Sequence, residues 1–306
     1  MIYITFKCDL AKASEIKDFF KANEIIDDKK PYEYFLTYYQ GVQIHAFKNK
    51  KEIYTICFNG ENENKVKEVT EMFSSSYTVK STEQDSIKKP QWEDVNSQIG
   101  SDEVGKGDFF GPLVVVASYV DSNDIEFLKR LKIDDSKRMN DEYILEIGEK
   151  LLQNIKSYVV LISSEKLSLL NENNMNVDKV LALSHNLAQR GLIKKYKLSS
   201  STMVYIDQFV SEDNYRKYLQ DDVIENPLYF KTKGESYYPS VAVSSVLARY
   251  TFLKEWKKME KVFNVEIPKG ASSIVDKVYG QLKNKYGKDV VNKYVKRFFS
   301  NYKSTL

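Results

Sequence analysis

Past residue 98 the sequence alternates between stretches with the periodicity of β-strands and stretches with the periodicity of α-helices. Ile99 and the apolar runs 111–120, 158–163 and 203–206 are short and rich in β-branched residues, which is typical of buried strands. Apolar residues three or four positions apart predict helices at residues 141–155, 176–196, 240–259 and 272–286. Because strands that alternate with helices form a sheet covered on both faces, this pattern predicts a mixed α/β domain.

The first 75 residues have a different order, which is strand, helix, three strands and helix. The predicted elements are residues 2–8, 10–22, 34–39, 42–47, 53–58 and 62–73. This order predicts a small α+β domain at residues 1–75. Residues 76–98 are polar and follow neither periodicity, so we interpret them as a linker to a second domain at residues 99–306.

The composition excludes several classes of protein. With 42% hydrophobic and 29% charged residues, the chain can bury a core of ordinary size. No apolar run is long enough to span a bilayer, and the first residues turn polar too soon for a signal peptide, so we expect a cytoplasmic protein with no membrane partner. Cys8 and Cys57 are too few for a disulfide framework, and with His45 and His185 they lack the spacing of zinc ligands. Nothing in the sequence indicates more than a monomer.

The net charge of +3 is unevenly distributed along the chain. Residues 276–306 contain eight Lys or Arg and two acidic residues. We predict a closing helix at residues 287–299 with one apolar side, and with a basic side formed by Lys288, Lys293, Lys296 and Arg297. A basic surface of this kind is either an ordinary solvated helix face or a site for nucleic-acid phosphates.

The most specific local pattern, residues 100–112, reads Gly-Ser-Asp-Glu-Val-Gly-Lys-Gly-Asp-Phe-Phe-Gly-Pro. Asp102 and Glu103 lie at the end of a short apolar run, where a turn of the backbone lets both reach one site or lets one act from a second angle. Gly105 and Gly107 allow the backbone to approach a ligand and to present amide groups to it.

Two further acidic residues extend this candidate site. Asp207 ends the apolar run 203–206, and Glu235 precedes a helix of small residues, where it is either a helix-start acid or a metal ligand. Four carboxylates without Cys or His are hard oxygen donors, which suit Mg²⁺ or Mn²⁺. The set therefore suits two-metal hydrolysis of a phosphodiester, with candidate ligands Asp102, Glu103, Asp207 and Glu235.

The pattern at residues 100–112 resembles the signature of type 2 ribonucleases H, and its second half resembles ribonuclease HIII more than ribonuclease HII. Four further stretches fit the family in the same order, so the resemblance covers about residues 99–300. They are Asp-Asp-Ser-Lys at 134–137, Val-Tyr-Ile-Asp-Gln-Phe at 204–209, Thr-Lys-Gly-Glu-Ser at 232–236 and Ile-Pro-Lys-Gly-Ala at 267–271.

The resemblance implies a fold and a set of substrate contacts. The fold is a ribonuclease H-like mixed sheet flanked by helices, preceded by a small domain similar to the TATA-box-binding protein that helps to grip the substrate. The family's metal ligands correspond to the same four acids, with Glu235 where ribonuclease HII has Asp. Backbone contacts to ribose 2′-hydroxyls are implied for Gly105, Lys106 and Gly107, and contacts to the substrate backbone for Ser136, Lys137 and Lys233.

The activity that the resemblance implies is cleavage of the RNA strand of an RNA/DNA hybrid, leaving a 5′-phosphate and a 3′-hydroxyl. One alternative is cleavage at single ribonucleotides in duplex DNA, as in ribonuclease HII, and the added N-terminal domain argues against it. Another is a hybrid-binding protein without activity, and the intact set of four acids argues against that. In the N-terminal domain, the candidates for substrate contact are Tyr38, Tyr39, Lys48, Lys50, Lys51 and Tyr54.

Overall fold

A computed structural model describes residues 2–21, 33–49, 52–74, 76, 78–81, 92, 96–133 and 139–303. The chain forms two compact units, residues 1–88 and residues 89–306. No helix within these ranges combines the length and the apolar character needed to cross a membrane.

The N-terminal unit contains the strands and helices that the sequence predicts, in the predicted order. They are β1 (Ile2–Cys8), α1 (Leu10–Phe19), β2 (Glu33–Tyr39), β3 (Val42–Lys48), β4 (Tyr54–Gly60) and α2 (Glu63–Glu71). A further strand, β5 (Thr78–Ser81), pairs with β1 and lies beyond the boundary predicted at residue 75. With four residues, β5 is too short for its periodicity to be recognised in the sequence.

The described strands of this unit form an antiparallel sheet in the order β2-β3-β4-β1-β5. Along β3 the buried residues are Val42, Ile44 and Ala46, which alternate with residues that are less buried. Ile16 of α1 and Val66 of α2 belong to the same core. The period of two therefore directs one face of the sheet towards the helices, as expected for an antiparallel sheet.

The second unit is a mixed α/β domain, as the alternating pattern predicts. Its strands are β6 (Gln98–Val104), β7 (Leu113–Val120), β8 (Ser157–Ile162), β9 (Met203–Asp207) and β10 (Leu228–Lys231). Its helices are α3 (Ile125–Arg130), α4 (Asp141–Asn154), α5 (Ser164–Glu172), α6 (Val177–Tyr196), α7 (Glu212–Leu219), α8 (Pro239–Phe263), α9 (Ser273–Tyr286), α10 (Lys288–Val291) and α11 (Ser300–Lys303). The sequence analysis did not identify β10, α3, α5 and α7, which are all shorter than ten residues.

The described strands of this unit have the order β10-β9-β6-β7-β8, with β6 antiparallel to β7 and parallel to β9. Hydrophobic cores lie on both faces of the sheet. Along β7, Val114 and Val116 belong to the core that contains α4 and α8, whereas Leu113 and Val115 belong to the core that contains α6. Helices therefore cover both faces, and the strands are nearly continuous in their apolar character.

The prediction of a closing helix at residues 287–299 was wrong. Helix α10 ends at Val291, a 3₁₀ turn follows, and Val295 is extended, with φ of −120° and ψ of 150°. Val295 forms a β-bridge with Phe110, and the Lys296 amide donates a hydrogen bond to the Phe109 carbonyl oxygen at 2.8 Å. Pairing with the segment that follows β6 replaces the helical hydrogen bonds here, and sequence periodicity does not report such pairing.

Candidate active site

Strand β6 carries Asp102 and Glu103 on opposite faces of the sheet, because side chains alternate along a strand. Asp102 faces α8, where Ser245 hydrogen-bonds its carboxylate, and Glu103 faces α6, where it contacts His185. The strand continues to Val104, so no turn of the backbone brings the two carboxylates together. Both nevertheless line one cavity of about 450 Å³ at the end of β6.

Gly100 allows α8 to lie directly against β6. A Cβ atom at Gly100 would lie 2.2 Å from the backbone nitrogen of Val241, a distance that no side chain tolerates. Ser244 donates a hydrogen bond from Oγ to the Gly100 carbonyl oxygen at 2.9 Å. This close approach of a small-residue helix places Ser245 beside Asp102.

Asp207 ends β9, the parallel neighbour of β6, where Ile206 pairs with Ser101. Its position is one residue further along the strand, next to that of Asp102. Its Oδ1 accepts a hydrogen bond from the Gly234 amide at 2.9 Å, which connects β9 to the turn that follows β10. Asp207 lines the same cavity as Asp102 and Glu103.

Glu235 lies in the 3₁₀ turn Gly234–Ser236, directly after the amide that binds Asp207. Its side chain is buried and does not line the cavity. The structure therefore brings three of the four predicted ligands to one cavity and leaves the fourth next to the contact that holds Asp207.

The electrostatics of the cavity are dominated by negative charge. Asp102 is only 7% exposed. Burial raises the pKa of Asp102 well above its usual range, and the Glu103 and Asp207 carboxylates raise this pKa further. The Ser245 hydroxyl and the Glu103 amide donate hydrogen bonds that oppose the shift only in part. Asp102 therefore lies close to two further carboxylates, and these three side chains offer hard oxygen donors.

A divalent cation fits this donor set in type and in charge. Within the described ranges, no three His, Cys, Asp or Glu side chains are already arranged to hold an ion. At β6 the two carboxylates do not converge, because side chains alternate along a strand and those of Asp102 and Glu103 leave it on opposite faces. Asp102, Glu103 and Asp207 are the residues that would hold such an ion, whereas Asp108, a fourth carboxylate of the cavity, accepts a hydrogen bond from the Gly270 amide at 2.6 Å.

The backbone of Gly105, Lys106 and Gly107 forms another wall of the cavity. Gly105 has a φ of +101°, and a Cβ atom there would lie 2.2 Å from the Pro112 carbonyl oxygen, so only glycine fits. The Lys106 side chain lies 2.8 Å from the carboxylate of Asp178, in the first turn of α6. The loop is thus tethered by its side chain, while its backbone lines the cavity.

A pair of cations occupies the cavity rim on the side of α8. Arg249 and Lys269 line the cavity, and both pair with Asp141 at the start of α4; Nη2 of Arg249 lies 2.6 Å from this carboxylate. Hydrogen bonds from Lys269 and Arg249 lower the pKa of Asp141 despite its partial burial. Two cations that share one carboxylate leave a net positive charge next to the acidic cavity. The ion pair of Arg249 with Asp141 also joins α8 to α4.

Lys296 holds the segment that follows the glycine loop. The side chain is fully buried, and its Nζ donates hydrogen bonds to the carbonyl oxygens of Asp108, Phe110 and Gly111 at 2.6, 3.2 and 2.7 Å. Burial lowers the pKa of Lys296 to about 7, and the Asp108 carboxylate offsets part of this shift. Lys296 was predicted on the basic side of a closing helix, either solvated or bound to phosphates, and this was wrong, because its side chain is buried and supports residues 108–111.

Sequence reasoning missed His185, which was set aside because it lacks ligand spacing. The side chain is fully buried, and its ring nitrogens lie 2.9 Å from Ser101 Oγ and 3.1 Å from Glu103 Oε2. One signal was present in the sequence: His185 and Gln189 are polar residues four positions apart on a helix whose other buried residues are mostly apolar or small.

The remaining predicted substrate contacts have different outcomes. Ser136 and Lys137 lie outside the described residues, as do Lys50 and Lys51. Lys233 is exposed and has a φ of +56° at the start of the turn that carries Glu235.

The N-terminal candidates divide in the same way. Tyr38 is 50% exposed, whereas Tyr54 is buried in the core of its unit and Tyr39 packs partly against that core. Lys48 pairs with Glu52 at 3.0 Å and lies over the Tyr54 ring.

Comparison with known proteins gives consistent matches. Residues 99–302 match the family model of Ribonuclease HII. A curated ribonuclease HIII from Bacillus cereus is 42% identical over 207 residues, which is 67% of each chain. Another from Bacillus mycoides is 40% identical over 233 residues, or 74% of this chain and 75% of that protein. The crystal structure of Bst-RNase HIII in complex with Mn²⁺ aligns with a TM-score of 0.67 and 27% identity, over 99% of this chain and 97% of that chain.

These matches agree with the resemblance carried by residues 100–112 and with the mixed sheet flanked by helices. The alignment with Bst-RNase HIII extends over almost the whole chain, and so includes the small α+β unit at the N-terminus. The chain belongs to the ribonuclease HIII family and is therefore a ribonuclease H enzyme, a hydrolase.

Proposed function

We propose that this chain hydrolyses the RNA strand of RNA/DNA hybrids with divalent metal ions held by Asp102, Glu103 and Asp207, with Glu235 next to them. The single observation that carries the proposal is the burial of Asp102 beside two further carboxylates, which raise its pKa. Uncompensated carboxylates are costly in a folded protein unless a cation neutralises them. The relative solved with Mn²⁺ supports a divalent ion as that cation.

The chain's own groups account for binding and selectivity in this proposal. The ions, when bound, would supply a nucleophilic water at neutral pH and charge stabilisation at the leaving oxygen. Asp102, Glu103 and Asp207 hold and orient them from the two adjacent strands β6 and β9. Gly105, Lys106 and Gly107 line the cavity, where contacts to a ribose 2′-hydroxyl would distinguish RNA from DNA. Arg249 and Lys269 add positive charge at the rim, where a phosphate of the substrate would approach.

The proposal is tested by cleavage of three end-labelled duplexes in Mg²⁺ or Mn²⁺, with a chelator control. The substrates are a full RNA/DNA hybrid, a DNA duplex that contains one ribonucleotide, and an all-DNA duplex. We expect cuts within the RNA strand of the hybrid, with 5′-phosphate and 3′-hydroxyl ends and no cleavage after chelation. Strong cutting at the single ribonucleotide would instead assign an activity like that of ribonuclease HII. Binding of the hybrid without any cleavage would leave a hybrid-binding protein.

A further inference from the structure

A chain of buried hydrogen bonds leads from the side of α6 to the Glu103 carboxylate. Its members are Tyr215, Gln189, Ser101 and His185, each of which is 0% exposed. We call these four side chains the α6 relay. Burial of a polar group costs free energy unless the group is hydrogen-bonded, and four such groups in one connected chain are a costly arrangement for packing alone.

The secondary structure places these groups in register with one another. His185 and Gln189 lie four positions apart on α6 and therefore project from the same face of that helix. Ser101 and Glu103 lie two positions apart on β6 and project from the face of the sheet that α6 covers. His185 therefore contacts both strand residues, with its two ring nitrogens on Ser101 and Glu103.

The donors and acceptors give the relay a direction. The Tyr215 hydroxyl donates to Gln189 Oε1 at 3.4 Å, and Gln189 Nε2 donates to Ser101 Oγ at 2.8 Å. The direction at His185 follows from Glu103, because a carboxylate that ligates a metal only accepts hydrogen bonds, so His185 Nε2–H donates to Glu103 Oε2 at 3.1 Å. In the neutral imidazole Nδ1 is then the acceptor, and the Ser101 hydroxyl donates to it at 2.9 Å.

The ring plane of His185 is held as well. The imidazole stacks on Phe209, with ring centroids 4.9 Å apart and an interplanar angle of 19°. Phe209 lies two residues after Asp207, so the imidazole contacts Glu103 itself and packs on the segment that follows Asp207. Neither rotation of the ring nor exchange of its two nitrogens is possible without breaking these contacts.

We infer that His185 is a positioning residue, which the α6 relay orients so that its Nε2–H holds one oxygen of Glu103 and sets this carboxylate for a divalent ion. The inference rests on the proposed function, because it assumes that Glu103 is a metal ligand. When a residue that is hydrogen-bonded to a metal ligand is removed, metal affinity typically falls by roughly 10- to 100-fold. On the other face of the sheet, the Asp102 carboxylate accepts hydrogen bonds from the Ser245 hydroxyl and from the Glu103 amide.

The test measures Mn²⁺ binding to the full-length protein without substrate, by titration calorimetry or electron paramagnetic resonance. We expect His185→Leu to weaken Mn²⁺ binding about 10- to 100-fold. His185→Gln, whose amide can still donate to Glu103, should recover most of this affinity. Ser101→Ala keeps the imidazole but removes the group that orders it, so an intermediate loss is expected.

The matched control is Ser184→Ala, next to His185 on α6. Ser184 is also buried, and its hydroxyl donates a hydrogen bond to the Val180 carbonyl oxygen within the helix at 2.6 Å. This variant should bind Mn²⁺ as the wild type does. Hybrid binding in the presence of a chelator should be equal in all variants, which separates loss of metal affinity from loss of the fold.

The proton position can be measured on the wild-type protein itself. The chain has two histidines, so ¹⁵N NMR of the ring nitrogens is readily assigned with a His45→Gln sample. At neutral pH we expect His185 to show the Nε2–H form in the wild type. A ring protonated on Nδ1, or unchanged Mn²⁺ affinity in both His185→Leu and Ser101→Ala, would overturn the inference. If the wild type itself neither binds Mn²⁺ nor cuts the hybrid, the proposed function fails with it.

Discussion

The two sheets of this protein differ in how many of their faces carry apolar residues. In the N-terminal unit, β3 alternates between buried residues and residues that are at least partly exposed. In the second unit, β7 is buried at almost every position, because helices pack on both faces. On the N-terminal sheet, Gln43 donates a hydrogen bond to Tyr38 and accepts one from Asn59, and these three side chains remain at least partly exposed to solvent.

A polar group on the doubly covered sheet has to find its partner inside the protein. On β6, Gln98 is bonded to Ser240, Ser101 to His185 and Gln189, Asp102 to Ser245 and Glu103 to His185. Each partner restricts the rotamer of the strand residue. Helices on both faces of the sheet therefore supply the partners that fix the carboxylates of β6. A site that binds metal ions requires such fixed ligands.

The largest expected effect is a loss of catalysis, and it comes from a substitution in the sheet that helices cover on both faces. Asp102→Asn removes a charge that the proposed ions need, while the charge of the rest of the surface stays the same. Loss of a residue that only orients a metal ligand lowers metal affinity or activity by about 10- to 100-fold. Loss of the ligand itself should therefore lower kcat by more than ~100-fold. Hybrid binding without metal should persist, because it depends on phosphate contacts.

The matched control for this substitution lies in the N-terminal unit. Glu63→Gln removes a carboxylate on α2 whose salt bridge with Lys67 is exposed, and kcat should stay within about twofold of the wild type, since such pairs contribute little. Normal turnover by Asp102→Asn would refute the assignment of the site.

A second effect concerns stability and compares one glycine from each sheet. Gly100→Ala places a Cβ atom against the backbone of α8, and we expect a loss of about 3 kcal/mol or more in the free energy of unfolding. Gly41→Ala, in the β2–β3 turn with φ of +80°, meets no atom within 4 Å, so only the backbone strain of about 1 kcal/mol applies.

Tryptophan fluorescence during urea unfolding reports on the second unit, because Trp92 and Trp256 both belong to residues 89–306. Gly100→Ala should lower the fluorescence midpoint, whereas Gly41→Ala should leave it in place. Equal shifts in the two variants would mean that the two sheets do not unfold independently.

The sequence predicted those parts of the fold that depend on local pattern. Periodicity located the long helices and the apolar strands, and the carboxylates at strand ends indicated Asp102, Glu103 and Asp207 as cavity residues. Short elements such as β5 and α7 were missed, because a few residues do not establish a period.

Contacts between distant segments could not be predicted in the same way. His185 lies 82 residues from Glu103, and Lys296 lies 188 residues from Asp108. In the sequence, Lys296 is one basic residue among several, and only tertiary structure shows that its amine lies among carbonyl oxygens. Local periodicity assigned Lys296 to the basic side of a helix, and backbone pairing with Phe109 prevailed over that preference.

A smaller effect, on KM, is expected from removing the N-terminal unit, whose sheet has one face covered by helices. We propose that the N-terminal unit is a second binding surface for the hybrid. Deletion of residues 1–88 should then raise the KM for a long hybrid by about 10- to 100-fold, because two linked binding surfaces act as one bivalent surface. The value of kcat should change by less than about threefold, since the cavity carboxylates belong to the other unit. The fluorescence midpoint of the truncated chain shows whether it is folded, and an unchanged KM in a folded chain would exclude a gripping role.

The smallest expected effect is the pH dependence that Lys296 gives to the doubly covered unit. Its pKa is lowered to about 7 in the folded chain, against an ordinary value of 10.5. Between these values the unfolded chain binds more protons, so the free energy of unfolding should rise with pH, by at most about 1.4 kcal/mol per pH unit. Lys296→Met fills a similar volume without a titrating group. We expect the stability of the wild type relative to this variant to increase by about 2 kcal/mol from pH 7 to pH 9 in urea titrations, and to be constant below pH 6. A difference that stays constant up to pH 9 would show that the buried amine remains charged, held in that state by the three carbonyl oxygens of residues 108–111.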